Sequence, residues 1–125
     1  MNAPELAPGL ETVETFNVDE RLVTDVEGAL STPVLSTPGM IERMEAAANA
    51  LAVGSLPEGK ATVGFEVSVK HVGAAPEGST CKAKAVLREV VDGRKLRFEV
   101  EVTFEDRVIG VGTHERRVVD IDQLG

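Results

Sequence analysis

The chain has 125 residues and contains no tryptophan, no tyrosine and a single cysteine, Cys81. One cysteine excludes an internal disulfide framework and a cysteine-rich metal site. The two histidines, His71 and His114, supply at most part of a metal site, and no metal is expected. Four phenylalanines are the only aromatic residues, so there is no platform of rings on which single-stranded nucleic acid could stack. Positive charge is short as well: 13 Lys and Arg stand against 21 Asp and Glu, a net charge of −8. Nucleic-acid affinity comes largely from counterion release by basic side chains, so no nucleic-acid partner is expected. No run approaches the roughly 20 apolar residues of a membrane span, and Met1-Asn2-Ala3-Pro4-Glu5 lacks a basic stretch ahead of an apolar one. The expectation is a soluble, cytoplasmic protein without a membrane partner. What the chain does have is 42% hydrophobic and 27% charged residues, enough to build one folded core.

Residues 1–9 hold Pro4, Pro8 and Gly9 and read as a flexible tail, which leaves a single domain over 10–125. Leu10–Val18 reads as a strand, and Asp19–Pro33 has no clear element. The clearest segment begins at Thr37-Pro38-Gly39. Thr37 is an N-cap type, Pro38 suits the first helical position, and alanine-rich sequence follows to Ala52. Met40, Met44, Ala47, Ala48 and Leu51 fall on one face, and Gly54 and Pro57 end the helix. After Lys60 the period is two. Val63, Phe65, Val67 and Val69 alternate, Thr80–Val91 follows, and Asp92-Gly93 is a two-residue hairpin turn. Leu96–Phe104 and Arg107–Val119 complete four consecutive strands. The expected class is α+β, a curved antiparallel sheet wrapped around one central helix. Free edges and uncovered apolar sheet favour a dimer.

Three residues carry possible chemistry, and each has a plain structural reading beside it. His71 shares the alternating face of Phe65, Val67 and Val69, as a core imidazole or a site residue. Glu45 sits at the border of the apolar helix face between Ile41 and Ala52, with Glu42 and Asn49 further toward solvent. A partly desolvated carboxylate there is a usable base, or simply a boundary residue. Thr37 is a helix cap, or a hydroxyl placed at the positive end of the helix dipole. Thr37 and Glu45 are eight residues apart, about 12 Å of helical rise, so a substrate or a partner subunit must bridge them.

Taken together, Ser36–Ala52, the strand end Val69-Lys70-His71 and the run Gly110-Val111-Gly112-Thr113-His114-Glu115-Arg116 resemble the fluoroacetyl-CoA thioesterase group of the hotdog-fold superfamily. The likeness extends loosely over residues 10–120. It implies a hotdog fold, a homodimer or dimer of dimers, and hydrolysis of an acyl-CoA thioester at the subunit interface. Coenzyme A enters as part of the substrate, with no separate cofactor. The resemblance further implies a catalytic Thr37, Glu45 and His71, with Gly64 near the bound acyl group. Thr37 would act as nucleophile or orient the carbonyl, Glu45 would activate water or accept the acyl group, and His71 would serve as general acid–base. Helix-end amides near Gly39 and Met40 are candidate oxyanion donors, and Arg116 with Arg117 could meet coenzyme A phosphates. His114 reads as structural. The family's name enzyme closes its pocket with phenylalanines ahead of the helix, where this chain has Gly28-Ala29-Leu30-Ser31-Thr32-Pro33. A small or medium acyl chain other than fluoroacetyl is therefore expected. The alternative is a non-catalytic hotdog module that binds an acyl thioester or another small apolar ligand. A hydratase on the same fold is disfavoured, because neither histidine has an aspartate in the five positions before it.

Overall fold

A computed structural model describes residues 5–123. Strands β1 (Glu11–Asn17), β4 (Lys60–His71), β5 (Thr80–Val91), β6 (Lys95–Phe104) and β7 (Arg107–Asp120) form one antiparallel sheet in the order β1-β5-β6-β7-β4. Two short strands pair separately: β2 (Val23–Thr24), inside the segment that showed no clear pattern, and β3 (Val34–Leu35), directly after it. Among the described residues there is one α-helix, α1 (Thr37–Val53), and the curved sheet wraps around it. None of the described helices is long and apolar enough to cross a membrane.

The sheet can close on the helix because both surfaces are small-sided. Cys81, Ala83 and Ala85 of β5 face Ala47, Ala48 and Ala52 of α1, all buried. Leu96, Phe98, Val100 and Val102 of β6 supply the bulk of the core from the same inner face. Full burial of each such large side chain contributes about 1.5–3 kcal/mol. The hairpin at Asp92-Gly93 has φ of 56° and 65°, the double positive value a type I′ turn requires. At the amino end, Leu6 packs on the core and the Gly9 N–H donates to the Leu87 carbonyl at 2.8 Å; Met1 to Pro4 lie outside the described residues.

Two local features depart from the sequence reading, and both shape the site. First, the helix cap is Ser36, not Thr37: the Ser36 hydroxyl accepts from the Gly39 N–H at 3.0 Å and donates to the Leu22 carbonyl at 3.0 Å. Second, β4 carries a bulge between Gly64 and Glu66, so Phe65 is an extra residue without a partner in β7. The bulge breaks the simple alternation. Phe65 turns outward under the Arg117 guanidinium, 3.6 Å from its ring centre, and does not share the face of Val67, Val69 and His71. On the helix side of the bulge stand Thr62 and Gly64, which uninterrupted alternation would have set opposite His71.

Candidate active site

Because Ser36 caps the helix, the Thr37 hydroxyl is free for another partner. It lies 2.9 Å from Nδ1 of His71, the last residue of β4. Burial pushes the His71 pKa below its ordinary value near 6.5; the Gly73 backbone offsets this in part. The ring is therefore neutral at neutral pH and can accept the Thr37 proton. Nε2 is buried and, among the described residues, makes no hydrogen bond of proper geometry. Around the pair lies a cleft of about 470 Å³ lined by Val34, Leu35, Thr37, His71, Gly73 and Ala74. The walls are aliphatic, and no phenylalanine reaches it.

Glu45 stands elsewhere. Its half-buried carboxylate faces β4 at Gly64, with Arg116 Nη1 3.5 Å and His114 Nε2 3.9 Å from Oε2. Arg116 is buried on the inner face. Its Nε donates to the Thr62 hydroxyl at 2.8 Å, Nη2 to the Thr62 carbonyl at 3.1 Å and Nη1 to His114 Nε2 at 3.2 Å. The Thr62 hydroxyl in turn donates to Asn49 Oδ1 at 2.8 Å. Asn49 therefore points to the sheet and not to solvent. Arg116 likewise faces the helix and Glu45, not an open surface from which it could meet phosphates.

The helix-end donors expected at Gly39 and Met40 are engaged as well. The Gly39 N–H binds Ser36 Oγ, and the Met40 N–H binds the Ser36 carbonyl at 2.9 Å. A Cβ at Gly39 would lie 2.6 Å from the Leu22 carbonyl oxygen, so this glycine serves close packing. That removes both amides as oxyanion donors in this conformation; Thr37 is the polar group of the helix end that faces the cleft.

Gly64 does abut a predicted catalytic side chain: an added Cβ would come within 2.7 Å of Glu45 Oε2. The neighbour is the tip of a flexible side chain, so it can yield. Gly64→Ala is expected to displace the Glu45 carboxylate and lower kcat about 10-fold or more, with Tm nearly unchanged. Steady-state kinetics beside a melting curve check this; an unchanged kcat would mean that the carboxylate position does not matter.

One chain thus holds two half-sites. Thr37 meets His71, and Glu45 meets Gly64 and Arg116. Gly64 and His71 are seven residues apart on one strand, roughly 20 Å at about 3.3 Å per residue. The sequence reading did not bring in His114, Thr62 and Asn49. Asn49 sits four residues after Glu45, one turn along the same side of the helix, and that spacing was the available signal.

Comparison with known proteins gives the fold and the family. Solved structures of the fluoroacetyl-CoA thioesterase FlK superpose with a TM-score of 0.86 at 28% identity, covering 97% of this chain and 93% of that one. One FlK variant solved with fluoroacetate and CoA gives 0.85 at 28% identity, covering 96% and 100%. A thioesterase-superfamily protein of Thermus thermophilus gives 0.83 at 26% identity, covering 98% and 88%. Helix, sheet and these likenesses define a hotdog-fold protein of the thioesterase superfamily. The family model described as fluoroacetyl-CoA-specific thioesterase matches residues 18–122, and the chain belongs to that family. The fluoroacetyl-CoA thioesterase of Streptantibioticus cattleyicolor is 34% identical over 91 residues, which span 73% of this chain and 65% of that relative.

Proposed function

We propose that the protein hydrolyses a small or medium acyl-CoA thioester at a site shared between two copies of the chain. The observation that carries this is the division of the site along β4. This strand is at the sheet edge, and both half-sites sit on its inner face. Antiparallel pairing of β4 with β4 of a second copy, centred on Ser68 and with the bulged Phe65 skipped, sets His71 opposite the partner's Gly64, and directly paired residues share a face. The Thr37–His71 pair would then meet the partner's Glu45.

The chemistry follows from the groups so assembled. The thioester carbonyl enters the aliphatic cleft against Thr37. Neutral His71 takes the Thr37 proton as the hydroxyl oxygen bonds to the carbonyl carbon. The carbon–sulfur bond breaks, and His71 returns the proton to the departing thiolate. Glu45 of the second copy then takes a proton from water, whose oxygen adds to the acyl carbon. The acid leaves and the proton returns to Thr37. The aliphatic cleft favours an unsubstituted acyl chain over fluoroacetyl. Coenzyme A is part of the substrate, and no further cofactor enters.

Complementation tests the shared site. Glu45→Ala and His71→Ala are each expected to be nearly inactive. Mixed and re-equilibrated, they should recover roughly a quarter of wild-type activity, since half the dimers are mixed and one of two sites in each is intact. No recovery would place the whole site in one chain. Tight acyl-CoA binding without thiol release by the wild type would instead make the protein a binding module.

A further inference from the structure

The Glu45 half-site stands beside a β-bulge, and the buried His114 bonds to the strand next to it. It is 2% exposed, facing α1 from the inner side of β7. Its Nδ1 lies 2.8 Å from the carbonyl oxygen of Glu66, the residue directly after the bulged Phe65. Its Nε2 lies 3.2 Å from Arg116 Nη1. A guanidinium only donates, so Nε2 accepts and the proton sits on Nδ1, where it donates to the carbonyl. Burial pushes the His114 pKa below its ordinary value, offset in part by the Glu66 carbonyl and reinforced by the Arg116 charge, and this keeps the tautomer neutral. Each nitrogen of the ring is thereby satisfied by one partner.

The two partners stand on either side of one structural problem. A bulge leaves its extra residue unpaired in the ladder, and slipping β4 into regular register would turn Gly64 and Thr62 to the outer face. Arg116 grips Thr62 before the bulge through its carbonyl and hydroxyl, and His114 grips Glu66 after it. The same Arg116 atom that donates to His114 is the one 3.5 Å from Glu45 Oε2.

We propose that His114 is a positioning residue. Its two hydrogen bonds hold the β4 bulge that aims Gly64 at Glu45, and they orient Arg116 against the Glu45 carboxylate. This rests on the catalytic role given to Glu45 above. It assigns His114 no contact with substrate.

The test compares His114→Phe with His114→Gln. Phenylalanine keeps a ring near Phe98, whose centroid is 6.3 Å from the imidazole, but has neither donor nor acceptor. Glutamine can donate to the Glu66 carbonyl and accept from Arg116. His114→Phe is expected to lower kcat about 10- to 100-fold with KM for acyl-CoA little changed, as supporting hydrogen bonds to a reacting group commonly do. His114→Gln should restore most of the loss, and both variants should show a cooperative melt. A wild-type kcat in His114→Phe overturns the proposal. So does a loss that matches the unfolded fraction and is not relieved by glutamine. A crystal structure of His114→Phe separates this from the thioesterase reading. Gly64 turned away from Glu45 supports the role of His114 even if no acyl-CoA is hydrolysed, and an unchanged bulge refutes it.

Discussion

His71→Ala is expected to lower kcat for acyl-CoA hydrolysis by about 10²- to 10⁴-fold, the range for loss of a positioned general base. The expectation comes from one contact. Thr37 Oγ1 and His71 Nδ1 are 2.9 Å apart, and no other described side chain bonds to the Thr37 hydroxyl. Without the imidazole the hydroxyl keeps its proton and is a weak nucleophile. The variant should fold normally, because His71 lies at a strand end and outside the buried core. The pH dependence has a defined sign. The base works as the neutral imidazole, and burial lowers its folded pKa, so the neutral form persists below the ordinary value near 6.5. The acid limb of kcat/KM attributable to His71 should therefore lie below pH 6.5, with no loss between there and neutrality. An acid limb at or above pH 6.5, or a His71→Ala variant as fast as wild type, would remove His71 from the reaction.

The fold was legible wherever local chemistry and tertiary packing ask for the same thing. The alanine-rich helix and the alternating strands β5 and β6 follow from period and propensity alone, and Asp92-Gly93 adopts the turn its residues favour. The lost segment is Asp19–Pro33. There Val26 and Glu27 take φ of 54° and 56°, a left-handed conformation that β-branched residues avoid, so propensity points the wrong way. Asp25 holds that turn: its carboxylate accepts from the Gly28 N–H at 3.0 Å and its carbonyl from the Leu30 N–H at 2.9 Å.

The site was legible in residue type but not in arrangement. Both Ser36 and Thr37 are good caps, and only the position of Leu22, remote in sequence, decides between them. Arg116 at a strand end resembles a solvated charge until Thr62 and His114 are placed beside it. The bulge at Phe65 is likewise invisible to period counting. Alternation across it assigns Phe65 to the inner face and Gly64 to the outer one, and the structure reverses both.

Gly112→Ala is expected to be the most damaging small change to stability. A Cβ at this position would lie 2.2 Å from the Ser68 carbonyl oxygen and 2.6 Å from the Val69 Cα. Both atoms belong to the backbone of β4, so relief requires β4 and β7 to separate, whereas at Gly64 a side-chain tip can swing aside. Forcing a methyl group into such a contact destabilises by about 3 kcal/mol, the upper part of the usual overpacking range. For a chain of this size that lowers Tm by roughly 10 °C. The same displacement would move His71, two residues beyond Val69, and the edge through which the two half-sites are proposed to meet. Gly64→Ala and Gly112→Ala therefore form an informative pair on the same two strands. The first should remove activity from a stable protein, and the second should remove stability itself. A Gly112→Ala variant that melts within about 2 °C of wild type would show that β4 can shift on β7 without penalty. In that case a fixed β4 register could not be what holds the half-sites in place.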